Sequence, residues 1–513
     1  VRLPLGRLLL GAAAVAMLAP AVATAAPPGV SHQLAQPTHV HDIAAGPHGE
    51  LWFATSRSTI GWIGPQGRVH RFNLPKGETA VSIIPARRGR AAWFSWNRLV
   101  RVPGMPVIAG IGRVTSGGHI VHFRGPDDHD FLPHELVIGA GGDIWFNSID
   151  ESYAGENVIG RMTPGGQFAT FGADPGEDSF VTDVTAGADG NVWFGDDEQG
   201  TVDRITPAGE ITRFEGGLAS LQPHLYRLAA APDGSVYFSL EGTGRYGIGR
   251  VRSGSDTVRR FTRGLSPRVN EIGSLAVAPG GDVWFGIERK GPLGTTASPD
   301  GRAALGRLTP AGKITEFSRC LRPAMGPTDL TVGPDGDIWF LPGYPLSNAY
   351  LTPGVGRIVP GGQITEYRDG LGHEDEPEDL VSGAGRLWFI DGHGGTIGEL
   401  RPPRGTSAPV LVEFPESHRH GVGLKVTVPG PGMVRVKEIG VATRGRVKLV
   451  PGLGARELRA TTCGPISAPL PGGTPLQRLL EKRGQIRLVM NVTFTPRGGT
   501  PFHQRAAVRL VPR

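Results

Sequence analysis

The sequence predicts an all-β protein: a β-propeller of four-stranded blades, eight by count with seven as the alternative, followed by a small β-sandwich. Three observations predict it. An aromatic pair, Trp or Tyr followed by Phe, recurs at Trp52, Trp93, Trp145, Trp193, Tyr237, Trp284, Trp339 and Trp388, at intervals of 41 to 55 residues. One template surrounds each pair: "xDLxxGPDGDIWF", a variable loop, "IGRITPGG", then "ITEF". Charge then divides the chain. Residues 409–513 carry 17 Lys+Arg against 5 Asp+Glu, while the whole chain is only +6, so the stretch before 409 is net negative. Segments of opposite sign are expected to be separate domains.

The elements follow in order. Residues 1–25 read as a secretory signal: Arg2 and Arg7, then "LLLGAAAVAMLAPAVA", then Ala23-Thr24-Ala25 as a small-x-small cleavage site near Ala25/Ala26. The apolar core is short, and nothing later in the chain approaches a spanning helix. Residues 30–405 hold the repeats. Each unit supplies strand A before the G-x-x-G turn, strand B with the aromatic pair, strand C as "IGRIT" and strand D as "ITEF". Pro-Asp-Gly and Pro-Gly-Gly suit the tight turns between them. Four antiparallel strands at this period describe a propeller blade, and closing the ring covers faces that a lone blade leaves bare. The eighth unit lacks a clear strand D. "VSHQLAQP" ahead of the first unit can supply it, with "PVLVEF" at 409–414 as the competitor. Residues 409–513 read as the basic β-sandwich, with a short helix in "TPLQRLLEK".

Composition narrows the function. Gly 79 and Pro 45 are spaced between apolar runs, so they mark turns rather than disorder. Two cysteines, Cys320 and Cys463, allow one bridge in an oxidising compartment and exclude a thiolate zinc cluster. The basic module has little aromatic content, which argues against nucleic-acid binding and suits an anionic cell-wall polymer. A monomer is expected.

Topology assigns loops to ends. The A–B and C–D turns are short and share one end, here the lower. The B–C and D–A connections share the upper end, where "NSIDESYAGEN", "ERKGPLGTTASPDGRA" and "PGYPLSNAYLTPG" are long and varied. Such variation marks the upper end as the face for a small-molecule, glycan or peptide ligand. His134 and His41 stand at the upper end of strand A in units three and one, and are the candidate catalytic groups. Ser82, Thr182, Tyr226, Gly273, Thr328 and Glu378 fill the same position elsewhere. The third residue after each aromatic returns to that end on strand B, giving Thr55, Ser148, Asp196 and Asp391 among others. Tyr226, Ser148 and Asp196 are therefore candidate ligand contacts. Glu378, Asp391 and Asp130, from "GHEDEPED" and "PDDHDFLPH" and the strand B return, are candidate oxygen ligands for magnesium or calcium.

The template "GPDGxxWF…IGRITPxGxITEF" resembles the streptogramin B lyase family, also called virginiamycin B lyases, over most of residues 40–400. The resemblance implies a lyase that opens a cyclic depsipeptide by elimination across its ester. A base removes the proton next to a carbonyl, and magnesium on carbonyl oxygens stabilises the enolate. It also implies histidines at the strand A position of two adjacent blades and a glutamate at the strand B return of the second. His134, with Pro133 before it, matches the histidine position, but its return residue is Ser148 and the preceding blade has Ser82. The next blade has Asp196 with Thr182. His41 also matches, with Thr55 at the return, and Glu378 and Asp391 face it across the ring closure. Three readings stay open: a secreted binding propeller first, then a metal-dependent lyase, then a lactonase-like hydrolase using Asn147, Asp196 and Asp391.

Overall fold

The computed structural model describes residues 30–32, 39–98, 108–125, 131–148, 158–171, 180–216, 218, 224–242, 245–255, 257–267, 269–289, 303–318, 321, 325–343, 354–367, 377–392 and 395–400 of the repeat region. Beyond it, residues 411–413, 423–428, 432–443, 446–449, 456–461, 464–469, 482–483, 486–496 and 501–510 are described. The signal segment, Cys320, Cys463 and nearly all of the expected helix lie outside the described residues. No helix among the described residues is long and apolar enough to cross a membrane.

Among the described residues, eight four-stranded antiparallel sheets account for the repeats, so the count is eight and not seven. The first blade shows the plan: Val40–Ala45, Leu51–Thr55, Thr59–Ile63 and Val69–Asn73. The eighth blade consists of Pro377–Gly383, Arg386–Asp391 and Thr396–Leu400, and its fourth strand is Val30–His32. Val30 stands opposite Leu400 and His32 opposite Gly398, so the N-terminal segment completes the last blade. The competing segment, Leu411–Glu413, pairs instead with Gly423–Val428 of the C-terminal region.

The repeated residues each have a packing reason. Aromatic residues of strand B are sealed between neighbouring blades: Trp52, with Trp62 of strand C, meets Ile83, Phe94 and Trp96 in one cluster, and Trp388 meets Val40, Leu51 and Phe53 across the closure. The glycine of "IGR" lies under the Phe of its own strand B. A Cβ on Gly160 would stand 2.1 Å from the Phe146 ring, and on Gly398 2.0 Å from Phe389. The fourth blade has Asp203 at this place, and burial pushes that carboxyl up to about 6.

The arginine of "IGR" works at the lower end. Arg161, Arg204 and Arg307 lie over Trp145, Trp193 and Trp284 at 5.5–5.8 Å. Each then donates to the C–D turn of the next blade: Arg161 to the Pro207 carbonyl, Arg204 to Ser253 Oγ at 3.2 Å and Arg307 to the Pro360 carbonyl at 2.7 Å. In the first blade Trp62 replaces the arginine, and its Nε1 donates to the Ser116 carbonyl at 3.2 Å. In the eighth blade Glu399 stands there, and Arg386 pairs with it at 3.4 Å while donating to the Pro65 carbonyl.

The C-terminal region forms two sheets. Leu411–Glu413, Gly423–Val428 and Gly464–Pro469 make the smaller. Gly432–Thr443 is central to the larger, between Ile486–Pro496 on one side and Arg446–Leu449 with Arg456–Ala460 on the other; Phe502–Leu510 extends it. Val434 and Val436 are buried while Arg435 and Lys437 are exposed, and Met490, Val492 and Phe494 are buried with exposed or half-buried residues between them, Leu488 and Val489 both being buried before them. One buried and one solvated face per sheet is what a β-sandwich requires.

Candidate functional site

Every blade has an irregularity at the same place. The A–B pairing slips at the upper end of strand A, between Val40 and Asp42, Ala80 and Ile83, Pro133 and Leu136, Val181 and Val184, and Leu225 and Leu228. It also slips between Ile272 and Leu275, Met325 and Asp329, and Glu378 and Leu380. A β-bulge leaves one or two residues without a cross-strand partner and re-aims their side chains. The skipped residues include His41, His134, Thr182 and Tyr226, and beside them Glu135, Asp183 and Arg227. The innermost strand thus presents its chemistry toward the channel.

His41 and His134 are solvent-accessible, yet protein surrounds each on enough sides that burial lowers its pKa below the ordinary 6.5. His41 also bonds the backbone at Ala80 and Val81 in the next blade, and the charge of His134 reaches it. The two imidazoles therefore share a region although their blades are not adjacent. Both are neutral at neutral pH and able to accept a proton.

The strand B return residues behave otherwise. Ser148 and Asp196 are buried at 1% exposure and Asp391 at 3%. Ser148 Oγ accepts from the Leu132 amide at 2.9 Å. Asp196 Oδ1 accepts from the Phe180 and Gln199 amides, both at 3.2 Å, tying strand entry to its own B–C turn. Asp391 Oδ2 accepts from Thr396 Oγ1 at 3.3 Å. These three groups brace the loops from beneath and do not present themselves at the surface. The bulge is the reason: Ser148 faces Pro133 in register, not His134. Asn147 is likewise buried, with Oδ1 accepting from the Glu135 amide at 2.8 Å.

Tyr226 is exposed at 39%. Its hydroxyl donates to Glu241 Oε2 at 3.3 Å, and Tyr246 donates to Glu241 Oε1 at 2.6 Å. Beside it, His224 Nδ1 lies 3.0 Å from Asp197 Oδ2, and this carboxylate raises the imidazole pKa. Glu378 is exposed, and a Cβ on Gly392 would lie 2.7 Å from its carboxyl carbon. Asp130 lies outside the described residues. Among the described residues, no three His, Cys, Asp or Glu side chains converge as a metal ion requires. Of the expected oxygen ligands, Glu378 is exposed and Asp391 is engaged with Thr396.

Next to the singled-out histidines runs a set of acids that the positional reading passed over: Asp42, Glu135, Asp183, Asp329 and Asp379. Each is the acid of "HDI", "HEL", "TDV", "TDL" or "EDL". They join the innermost strands of successive blades. Asp42 Oδ2 accepts from the Ile83 amide at 2.6 Å, Asp183 Oδ2 from Leu228 at 2.7 Å, and Asp329 from Leu380. Asp379 Oδ2 accepts from Ile43 at 3.3 Å across the closure, and Ser274 Oγ takes the corresponding bond from Leu330 at 3.0 Å. Glu135 bonds the Val184 backbone and the Asp183 carboxyl.

Burial raises the pKa of all five, Asp42 and Asp183 to about 7. The Glu135 charge adds to the rise at Asp183, and the charges of Asp42 and Asp329 add to that at Asp379. Arg227 faces this ring, with Nη1 3.9 Å from Glu135 Oε1 and its charge reaching Asp183 and Asp329. The nearness of the Glu135 and Asp183 carboxyls disfavours a second negative charge beside the first, which pushes Asp183 further upward. The signal was in the sequence: one acid recurring on an otherwise apolar inner strand.

No protein-family model and no curated protein matches this chain. Among solved structures it is similar to virginiamycin B lyase from Staphylococcus aureus, at 20% identity over 74% of this chain and 99% of that one, with a TM-score of 0.44. It is similar to a streptogramin B lyase at 19% identity over 72% and 97%, TM-score 0.43. A gluconolactonase from Xanthomonas campestris follows at 13% identity over 52% and 83%, TM-score 0.33. Likeness at these values carries no reaction with it, and the propeller rests on the sheets themselves.

Proposed function

We propose that this protein is a secreted, ligand-binding propeller that takes a small molecule, glycan or peptide at the upper mouth of its channel. The observation that supports this most is the bulge at the head of all eight inner strands, which turns His41, His134, Tyr226 and Arg227 away from the sheet ladders. Neutral imidazoles accept hydrogen bonds and the Arg227 guanidinium donates them, so the mouth offers both kinds of partner. The basic C-terminal module keeps the protein on an anionic wall polymer, and residues 1–25 direct export. Sequencing the N-terminus of exported protein tests the latter, with a start at Ala26 expected.

A second reading rests on one observation, the two neutral imidazoles within electrostatic reach of each other. In that reading His134 or His41 removes the proton next to an ester-bearing carbon, and the ring opens by elimination. The described residues do not assemble a metal centre, so magnesium or calcium enters as a variable of the test. The protein is screened against glycans, peptides, cyclic depsipeptides and lactones, with magnesium, calcium or chelator, reading thermal midpoint and product mass. Binding without turnover supports the first reading. A ring-opened product of unchanged mass supports elimination, and a gain of one water supports the lactonase-like alternative.

A further inference from the structure

Tyr226 does not stand alone at the upper mouth. Among the described residues four large apolar side chains are exposed, and two of them, Phe180 and Tyr226, stand at the heads of neighbouring inner strands. Phe180, 46% exposed, leads into Val181–Ala186 of the fourth blade. Tyr226 lies in His224–Ala230 of the fifth, at the bulge that turns it from the ladder. Exposed aromatic surface gathered in one place marks a contact site.

The rings are held in place from beneath. The Asp197 amide donates to the Phe180 carbonyl at 2.9 Å, and Asp197 Oδ1 accepts from the Leu225 amide at 2.7 Å, so one residue ties the two strand heads together. His224 stacks on Tyr226 with centroids 6.3 Å apart. The Tyr226 hydroxyl is fixed on Glu241, which leaves the ring, not the hydroxyl, as the surface on offer.

Charge around the rings is one-sided. Two neutral phenols, Tyr226 and Tyr246, orient Glu241 but bring it no positive charge. Glu198, in the turn after strand B of the fourth blade, and Glu271, on the inner strand Val269–Val277 of the sixth, are exposed. Burial, and then the charges of Glu241, Asp197 and Glu271, push the Tyr226 phenol up to about 12. The bond to Asp197 raises His224, and the charges of Glu241 and Glu198 add to that. Of the nearby cations, His224 is paired with Asp197, and Arg227 reaches Glu135 of the third blade. Among the described side chains no cation pairs with Glu198, Glu241 or Glu271.

We propose that this part of the rim takes a lysine side chain of a peptide ligand. The inference rests on the upper mouth being the ligand face and names what that face selects. Lysine carries a charged head on an apolar stem, the pairing that exposed rings beside carboxylates favour. The stem lies on the Phe180 and Tyr226 rings. The ammonium sits over the Tyr226 face, where the ring quadrupole and the charges of Glu198, Glu241 and Glu271 all attract a cation.

The test is calorimetric titration of the full-length protein with a capped glycyl-lysyl-glycine peptide, the same peptide with norleucine in place of lysine, and a glucosamine oligomer. The lysine peptide is expected to bind about tenfold more tightly than either of the others, and less tightly as salt is added. Tyr226→Leu is expected to weaken it about fivefold, the size of a cation–π contact, while Tyr226→Phe stays within about twofold of wild type. The Glu198→Gln/Glu271→Gln pair is expected to weaken it about tenfold. Both glutamates are exposed, so this pair keeps the test valid should Tyr226→Leu misfold. No binding of the lysine peptide, equal binding of the norleucine peptide, tighter binding of the glucosamine oligomer, or an affinity unchanged in both Tyr226→Leu and the glutamate pair would each overturn the proposal. The His41→Ala/His134→Ala variant keeps it distinct from the reading it rests on: a lysine peptide weakened by that variant alone overturns the lysine site and leaves the upper mouth as the ligand face.

Discussion

The two ends of the propeller are stitched from blade to blade by opposite chemistry. At the lower end arginine or tryptophan donates to a carbonyl of the next blade, as Arg307 does to Pro360 and Trp62 to Ser116. At the upper inner end a carboxyl accepts from an amide of the next blade, as Asp42 does from Ile83 and Asp183 from Leu228. A guanidinium keeps its charge at every accessible pH. A buried carboxyl does not, because desolvation pushes its ionisation toward neutrality. The lower end is thus built for constancy, whereas the upper end holds exchangeable protons beside the two histidines. The difference separates scaffold from chemistry within one repeated unit.

The sharpest way to break the contrast is at Arg357. It is 1% exposed, bonded to Asp337, 3.1 Å from Asp335, and lies 5.6 Å over Trp339. Removing one partner of a buried ion pair leaves charge uncompensated, so Arg357→Ala is expected to cost about 3–5 kcal/mol. Urea unfolding measures it; a cost below ~1 kcal/mol would mean that the Arg357–Asp337 pair does not hold the lower end of the seventh blade.

The next effect belongs to the upper ring. Carboxyls with raised folded pKa stabilise fully below their ordinary value of 3.8, and that stability is lost as pH rises toward about 7. His41 and His134, with lowered pKa, act in the opposite sense, below 6.5. With five acids against two histidines, the thermal midpoint is expected to fall as pH rises from about 4 to about 7, then level. Asp42 alone accounts for a few kcal/mol, at ~1.4 kcal/mol per pKa unit. Asp42→Asn keeps an acceptor for the Ile83 amide but cannot ionise, so its profile is expected to be flatter. An unchanged slope in that variant would remove Asp42 from the ring.

A smaller effect is expected from Arg161→Ala, which loses the Pro207 bond and the Trp145 stacking, about 1–2 kcal/mol without any change in pH profile. The smallest is expected at the exposed groups of the mouth. His134→Ala and Tyr226→Ala should alter stability by no more than ~0.5 kcal/mol, as exposed positions usually do. A loss of several kcal/mol at either would give that residue a structural role instead.

Much of this was legible in the sequence because it repeats. The Trp-Phe pairs, the turn glycines and the missing fourth strand of the last unit gave the blade plan and pointed to closure by the N-terminal segment. The bulge was not legible, since it depends on which residues of strands A and B stand opposite each other. Without it, Ser148 and Asp391 read as neighbours of His134 and Glu378 at an open mouth. With it they slip one place and are buried under the loops. The acids Asp42, Glu135, Asp183, Asp329 and Asp379 were visible as letters of the template, but their shared channel wall appears only once eight inner strands close into a ring. Asp130 and the acids Glu374, Asp375 and Glu376 lie outside the described residues.

The account rests most on the upper mouth being the ligand face. Its most direct test takes the strongest binder from the screen and compares its calorimetric isotherm for wild type, the His41→Ala/His134→Ala double variant, Tyr226→Ala and Arg161→Ala. A ligand seated at the mouth must lose affinity at least tenfold in the double variant, weaken with Tyr226→Ala, and bind Arg161→Ala as it binds wild type. An isotherm unchanged in the double variant, or weakened only by Arg161→Ala, would place the site elsewhere and contradict the account.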